Sequence, residues 1–221
     1  MLTRIFSDQL TKFFVSLLAS KKCLNCDNDN LVPNLLCYSC WSGLKLKSTV
    51  NNYGDLEYVF SLENQGKDLI YKNKYGKVNY INQVFLRLLI SKFGKIISDY
   101  DLLTIVPYNY QKLSKKGYNN NAILAHKLGK KYGKKVLPNL LIKKYSKDQV
   151  GLNYIERQKN AQKIYSLNQA QQANIVGKKI ILLDDVITTS ATLNICKNLL
   201  YNGGAAKIFC IALAHTPKNI A

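Results

Sequence analysis

The pattern of apolar positions is most distinctive at residues 180–183, where four aliphatic residues stand in succession. A run of this kind predicts a central strand that is buried on both faces of a parallel sheet. Two carboxylates follow where the strand should emerge from the sheet, and small hydroxyl-bearing residues come next. The apolar spacing of residues 193–200 predicts a helix after them.

The segment between this strand and this helix predicts a ligand site. In open α/β sheets ligands bind beyond the carboxyl ends of the strands, and the free N–H groups at a helix start bind anions. We therefore expect a phosphate on the turn and ligand hydroxyl groups on the acids. The acids are Asp184 and Asp185, and the turn comprises Thr188, Thr189, Ser190, Ala191 and Thr192.

Two other interpretations compete for this segment. ATP-hydrolysing P-loop proteins also carry acids at the end of a strand, but they need a Gly-rich loop that ends in Gly-Lys-Ser or Gly-Lys-Thr. No Gly-Lys pair in this chain is followed by Ser or Thr, so that interpretation fails. An ordinary strand with two exposed acids and a Thr-rich helix cap remains as the alternative.

The same patterns elsewhere in the chain predict an α/β fold. The predicted strands cover residues 58–62, 102–106, 140–143, 180–183 and 207–213, and the predicted helices cover residues 78–97, 122–132 and 193–200. Gly203 and Gly204 should end the helix that follows the turn. Residues 145–177 are polar and poorly periodic apart from a short helical stretch near 152–161, and so long a connection is usually functional or mobile.

Four cysteines form two Cys-x-x-Cys pairs separated by ten residues: Cys23 with Cys26, and Cys37 with Cys40. This spacing can present four thiolates to one tetrahedral Zn²⁺, and a site closed by four protein ligands predicts a structural metal. Two disulfides or redox-active pairs are the alternative, but structural disulfides are rare in a reducing cytosol. Cys196 and Cys210 fall in a predicted helix and a predicted strand, where we expect buried thiols.

Residues 2–18 place their apolar side chains on one helical face. Amphipathy of this kind predicts a docked helix instead of a secretory leader. No apolar run approaches the roughly 18 residues of a membrane span. We expect a cytoplasmic protein in which residues 1–60 form the N-terminal helix and zinc-binding unit and residues 61–221 form the α/β domain.

Lysine and arginine together number 32 against 13 acids, a formal net charge of +19. Such an excess suits a polyanionic partner, either nucleic acid or a phosphate-rich ligand. Lysine dominates, however, and Asn, Ile and Tyr are abundant, as in a genome that is rich in A and T. The charge is therefore compatible with DNA binding but does not establish it.

The predicted strand at 102–106 leads into a basic loop at 108–121, which contains Lys112, Lys115, Lys116 and Gly117. If this strand and the one at 180–183 are parallel, the loop lies on the same rim of the sheet as the two acids. Cations and a glycine beside a phosphate turn suit a second polyanionic group. A solvated surface loop is the alternative.

Several motifs together resemble the ComF family of competence proteins, which is related to the type I phosphoribosyltransferases. The likeness covers the four-cysteine segment, the sequence Lys74-Tyr75-Gly76 and the later α/β domain. The family's Arg-Gly-Phe-Asn-Gln element corresponds to residues 116–120, and its later Gln, Leu, Arg and Asn positions match Gln149, Leu152, Arg157 and Asn160. Its Asp-Asp-Val-Ile-Thr-Thr-Gly-x-Thr signature corresponds to residues 184–192, with Ser190 in place of the glycine.

The resemblance implies a type I phosphoribosyltransferase-like parallel sheet with helices on both faces, and a site for phosphoribosyl pyrophosphate with Mg²⁺ carried mainly by substrate oxygens. Asp184 and Asp185 would hold the ribose hydroxyls, and the amides of residues 188–192 would hold the 5′-phosphate. Lys116 would face the pyrophosphate, and Arg157 would close over it. The reaction implied is displacement of pyrophosphate at C1.

Two departures from the family pattern bear on this site. Ser190 fits the turn if its φ is negative, whereas a positive φ would strain it. Lys116 replaces the bidentate fork of an arginine with a point charge.

The resemblance also implies a role in the uptake or processing of transforming DNA, alongside competence and translocation proteins. Two other functions remain open. The domain could bind phosphoribosyl pyrophosphate or a nucleotide only as a signal. It could instead bind single-stranded DNA for a translocation motor, with lysines as backbone contacts and tyrosines as stacking platforms, and the basic aromatic segment at 68–77 with Lys72 and Lys74 is the candidate surface.

Overall fold

The computed structural model describes residues 22–28, 35–47, 54–75, 78–108, 118–144, 164–188 and 190–217. The chain divides into two compact units, Met1–Gly43 and Leu44–Ala221. The helix predicted within residues 2–18 and the helical stretch predicted near 152–161 both lie outside the described residues.

In the smaller unit the described residues bring the four cysteines of the two Cys-x-x-Cys pairs together. One short helix, α1 (Tyr38–Ser42), follows directly after Cys37 and carries Cys40. Three of the four cysteines are buried, and Cys26 is exposed.

The described residues of the larger unit form seven strands and four α-helices. The strands are β1 (Leu56–Ser61), β2 (Leu102–Ile105), β3 (Lys135–Val136), β4 (Leu141–Lys143), β5 (Tyr165–Leu167), β6 (Lys179–Ile187) and β7 (Lys207–His215). The helices are α2 (Asn64–Tyr75), α3 (Val78–Ser98), α4 (Asn120–Tyr132) and α5 (Ala191–Asn202), with a 3₁₀ helix at Gln169–Asn174.

Five of these strands form an all-parallel sheet in the order β1-β7-β6-β2-β3. Its middle strand is β6, as the aliphatic run at 180–183 predicts, and those four residues are fully buried. In β1 all but one of the residues pair with β7, so β1 belongs to this sheet although it begins before the boundary predicted after residue 60. The division between the compact units falls earlier, after Gly43.

Helices cover both faces of the sheet. On one face Cys196 and Leu200 of α5 share a core with Ile180 of β6 and Cys210 of β7. Neighbouring strand residues point to opposite faces, and on the other face the ring of Phe209 contacts Tyr100, just beyond the end of α3. The predicted fold class is confirmed: a parallel α/β sheet between helices, with a separate four-cysteine unit. The two core thiols are buried, as predicted.

The strand predicted at 140–143 forms at 141–143 but does not join the parallel sheet. It is β4, which pairs antiparallel with β5 as a separate two-stranded ribbon. Leu141 and Leu167 of this ribbon belong to the core beneath α5. Its apolar residues therefore indicate burial correctly. The edge strand of the main sheet is instead the short β3, whose sequence contains no apolar run that would predict a strand.

Candidate functional site

The two carboxylates lie inside β6 and not beyond its end, which corrects the sequence prediction. β7 is as long as β6 and keeps pairing with it as far as Ile187. β2 is shorter, and its last pair with β6 is Ile105 with Leu183. Asp184 and Asp185 therefore lie at the carboxyl rim of the sheet, where β6 is paired on one flank and open on the other.

Asp184 is the more enclosed of the two acids. Its Oδ1 accepts a hydrogen bond from the backbone N of Asp185 at 2.8 Å and another from Nδ2 of Asn121 at 3.4 Å. Burial raises the pKa of Asp184 to about 8, and the negative charge of Asp185 adds to this rise. Asp184 is therefore largely protonated at neutral pH.

Asp185 forms an ion pair across the open flank. Its Oδ2 lies 3.3 Å from Nζ of Lys74, on the last turn of α2. Its Oδ1 accepts a hydrogen bond from the backbone N of Val186 at 2.8 Å. The side chains of Lys74 and Asp185 are 38% and 25% exposed, so a ligand can reach both charges.

A small pocket that opens to solvent lies at this ion pair. Its lining comprises Lys74, Tyr108, Tyr118, Asn119, Asn120, Asn121 and Asp185. Burial raises the pKa of Tyr108, and the charge of Asp185 contributes. The pocket thus combines one cation, one carboxylate, amides and phenols, which suits a polyhydroxylated, phosphorylated ligand.

The start of α4 supplies the amides. Asn119 caps this helix, because its side-chain oxygen accepts hydrogen bonds from the backbone N of Asn121 at 3.0 Å and of Ala122 at 3.3 Å. The cap orients the first turn of α4 toward β6. Nδ2 of Asn120 donates to the backbone oxygen of Asn73 in α2 at 2.9 Å, which ties the two helices together beside the pocket.

The predicted phosphate turn leads from β6 directly into α5, which begins at Ala191. Ser190 has φ −70° and ψ −1°, which is ordinary right-handed backbone. Because this φ is negative, serine fits here in place of glycine without strain in the backbone. Thr188 and Ser190 are exposed on this turn.

The structure brings together several of the predicted site residues. Asp185 lines the pocket together with Tyr118 and the asparagines at the end of the basic loop, and Asp184 contacts Asn121. Three predicted site residues, Lys116, Arg157 and Thr189, lie outside the described residues.

Sequence reasoning missed two members of this site. Lys74 was expected on a DNA-contacting surface, and Asn121 was given no role. The motif Lys74-Tyr75-Gly76 was a usable signal for the first, because it is one of the segments that carry the family resemblance.

The four cysteine sulfurs of the smaller unit form a second candidate site and lie within 4.8 Å of one another. Sγ of Cys23 accepts hydrogen bonds from the backbone N of Asn25 at 3.4 Å and of Cys37 at 3.3 Å. Nδ2 of Asn25 donates to Sγ of Cys40 at 3.4 Å. Tetrahedral Zn–S bonds of about 2.3 Å place sulfurs a little under 4 Å apart, so this donor set fits one metal ion.

Disulfides do not explain the cluster. Sγ of Cys26 and Sγ of Cys37 are 3.5 Å apart, well beyond the roughly 2 Å of an S–S bond. None of the four cysteines of the cluster forms a disulfide.

No family model matches the chain, and no curated protein matches it. Among solved structures, a phosphoribosylpyrophosphate synthetase from Mycobacterium smegmatis is 17% identical with a TM-score of 0.37, over 59% of this chain and 33% of that one. An allosteric regulatory enzyme of purine biosynthesis is 16% identical with a TM-score of 0.38, over 60% of this chain and 26% of that one. The chain thus matches a third or less of the length of either protein.

Within the part of the chain that the structure describes, no helix has the length and apolar character needed to cross a membrane.

Proposed function

We propose that this chain is a ComF-like protein with a type I phosphoribosyltransferase-like domain that binds phosphoribosyl pyrophosphate. One observation carries the proposal. Two adjacent carboxylates lie at the open carboxyl rim of the central parallel strand, and the same strand leads through a short hydroxyl-rich turn into the start of α5. Within a few residues, the chain therefore provides carboxylates that can bind sugar hydroxyls and backbone amides that can bind a phosphate.

In this proposal Asp184 and Asp185 bind the ribose hydroxyls. The backbone N–H groups of residues 188–192 bind the 5′-phosphate, with the positive end of the α5 dipole behind them. Lys74, which pairs with Asp185, would face the pyrophosphate together with Lys116, and Arg157 would close over the bound ligand. Mg²⁺ suits this donor set because it is held through one or two carboxylates and substrate phosphates.

The same arrangement supports transfer chemistry. A nucleophile on an acceptor forms a bond to C1 of the ribose while the C1–O bond breaks, and pyrophosphate leaves with the electron pair of that bond. Positive charge develops on the sugar ring during this step, and the carboxylate of Asp185 would stabilise it. The cellular role we propose is cytoplasmic handling of transforming DNA, alongside competence and translocation proteins.

Calorimetry with phosphoribosyl pyrophosphate and Mg²⁺ tests the binding proposal. The double variant Asp184→Asn, Asp185→Asn should bind at least roughly tenfold more weakly, because a hydrogen bond to the charged acceptor Asp185 contributes about 1.5–3 kcal/mol. The control is Asp68→Asn, Asp99→Asn, which removes two exposed acids that do not line the pocket. Equal affinity in the site variant and the control would overturn the assignment. Adding candidate acceptors to the wild type separates a transferase from a ligand sensor.

For the smaller unit we propose a structural Zn²⁺ held by Cys23, Cys26, Cys37 and Cys40. Zinc favours four thiolates in tetrahedral geometry, and a site closed by protein ligands leaves no position for substrate. The N–H groups directed at the sulfurs of Cys23 and Cys40 stabilise thiolate charge, as expected around a metal-bound sulfur.

A second candidate function, binding of single-stranded DNA, is favoured by one specific feature. Tyr71 and Tyr75 lie one turn apart on α2, with ring centroids 4.8 Å apart, and they are 64% and 76% exposed. Exposed rings next to lysines make a platform on which bases stack.

Fluorescence anisotropy with a labelled oligothymidine tests this second function. The variant Tyr71→Ala, Tyr75→Ala should lose roughly tenfold or more in affinity, since stacking contributes about 1–3 kcal/mol per base. Tyr201→Ala removes another exposed ring, 42% exposed, and serves as the control. Binding should also weaken steeply with salt. If the wild type does not bind the oligonucleotide at low salt, or if the wild type and both variants bind it equally, the DNA-binding function is wrong.

A further inference from the structure

Asn121 is a buried amide that the proposed function does not use. It is the second residue of α4, it is 6% exposed, and it lines the pocket at the carboxyl rim. Its Nδ2 donates to Oδ1 of Asp184 at 3.4 Å. Its Oδ1 is buried and has no hydrogen-bond partner in the described part of the chain.

An unpaired buried carbonyl oxygen carries a cost. Leaving such a group without a donor costs about 1–3 kcal/mol, so each case calls for an explanation. The side chain is also held in place, because the backbone N of Asn121 donates to the cap at Asn119 and its own Nδ2 is engaged with Asp184. The free oxygen therefore belongs to an amide that is fixed against the carboxyl group of Asp184, on a residue that lines the pocket.

The neighbouring atoms indicate which ligand group would pair with this oxygen. Oδ1 of Asp184 already accepts two hydrogen bonds, from Asp185 and from Asn121, so the proton of this carboxyl group lies on Oδ2, the oxygen left for a ligand. The Oδ2–H group of Asp184 is therefore a donor, and Oδ1 of Asn121 is an acceptor on the amide that contacts the same carboxyl group. An anion has no hydrogen to donate to the amide oxygen. A sugar hydroxyl fits, because it can donate to Oδ1 of Asn121 and accept from the protonated carboxyl group of Asp184.

We propose that Asn121 binds a ring hydroxyl of ribose and makes the pocket select ribose over deoxyribose. This inference rests on the proposed function, in which the acid pair takes the sugar. A site that hydrogen-bonds a substrate hydroxyl discriminates strongly against the analogue without it, because the analogue leaves buried polar groups unpaired. Asn121 is thus a specificity-determining residue beside the two acids.

The test measures selectivity and not affinity alone. Ribose 5-phosphate, 2-deoxyribose 5-phosphate and 3-deoxyribose 5-phosphate are titrated calorimetrically into the full chain. The wild type should prefer ribose 5-phosphate to at least one analogue by about tenfold or more, as one lost hydrogen bond implies. Asn121→Leu should bring that ratio to within about threefold, mainly by weakening ribose binding.

Matched variants separate this effect from a general loss of structure. Asn82 on α3 is fully buried, its side-chain atoms have no partner in the described part of the chain, and it does not line the pocket. Asn82→Leu should keep the wild-type preference. Asn121→Ala is a second site variant if leucine does not fit, and circular dichroism verifies the fold of each protein.

The results distinguish failure of the role of Asn121 from failure of the proposed function on which it rests. If no sugar phosphate binds the wild type, both fail. If the wild type binds ribose and both analogues equally, or if the Asn121 variants keep its preference, the role of Asn121 is wrong while sugar-phosphate binding stands.

Discussion

Nζ of Lys74 lies 3.3 Å from Oδ2 of Asp185, although the two residues are far apart in sequence. The contact brings the last turn of α2 to the open flank of β6 and places a positive charge beside two carboxyl groups. A phosphorylated sugar needs both signs of charge in one place, the acids for its hydroxyls and the cation for its phosphate oxygens. The ion pair is therefore part of the candidate site and not a feature of an outer surface.

The first prediction is that Lys74→Gln weakens the binding of phosphoribosyl pyrophosphate but hardly changes stability. A cation that contacts phosphate oxygens contributes about 1.5–3 kcal/mol, so the affinity should fall roughly tenfold or more. The pair with Asp185 is partly exposed, and such pairs contribute at most about 1 kcal/mol to folding. Calorimetry with Mg²⁺ present measures the affinity, and urea denaturation measures the free energy of unfolding.

A second ion pair offers the control for Lys74. Nζ of Lys45 lies 3.1 Å from Oε2 of Glu63, and both side chains are more exposed than those of the pair at the site. Lys45→Gln removes the same charge without touching the pocket and should leave the affinity unchanged. If Lys45→Gln and Lys74→Gln lower the affinity equally, the loss of affinity is caused by the change in net charge, and Lys74 has no specific role.

The second prediction concerns stability and pH. The pKa of Asp184 is raised from 3.8 to about 8, chiefly by burial. Below pH 4 the folded and unfolded chains both keep this proton. Between pH 4 and pH 8 the unfolded chain releases it while the folded chain retains it, so the contribution of Asp184 to stability is lost as the pH rises. Asp184→Asn cannot ionise and should escape this loss.

Urea denaturation from pH 5 to pH 8 at constant salt tests this pH dependence. The free energy of unfolding of Asp184→Asn relative to wild type should rise with pH, with a slope approaching about 1.4 kcal/mol per pH unit. Asp99→Asn, at an exposed acid, should follow the wild type. If the wild-type and Asp184→Asn curves stay parallel, the folded-state pKa of Asp184 is not raised.

Much of the larger unit could be predicted from the sequence. The aliphatic run at 180–183 identifies the middle strand, because only a strand covered on both faces can bury four such residues in succession. The helix predicted at 78–97 forms as α3, Val78–Ser98, since its apolar positions repeat with helical spacing over five turns. These features depend on local patterns, and local patterns are visible in a sequence.

The rest depends on which elements become neighbours. The length of β6 is set by its partner β7, so the carboxylates lie inside a strand that the apolar run alone would end at Leu183. The contact of Lys74 with Asp185 and that of Asn121 with Asp184 both join distant segments. No periodicity connects such residues, and a single sequence shows only their types.

The third prediction is that Ser190→Gly changes the site very little. Ser190 has φ −70°, so glycine would relieve no strain there, and its side chain makes no capping hydrogen bond that the change would remove. Replacing an N-cap serine with glycine costs only a few tenths of a kcal/mol. The affinity for phosphoribosyl pyrophosphate should stay within about twofold of wild type by calorimetry. A gain of tenfold with glycine would mean that the turn needs a backbone conformation that serine resists.

The last prediction is that the protein binds one Zn²⁺ per chain and that the smaller unit depends on it. Elemental analysis of protein purified without chelator should give close to one equivalent. Cys40→Ser should remove the metal and make the N-terminal residues sensitive to protease, because folding energy in such units comes from the metal. Cys196→Ala is the control: burial raises the pKa of the Cys196 thiol to about 12, so this thiol stays protonated in the core beneath α5, and the variant should keep its zinc. Metal-free protein with an equally protease-resistant N-terminal unit would show that the four cysteines pack without an ion.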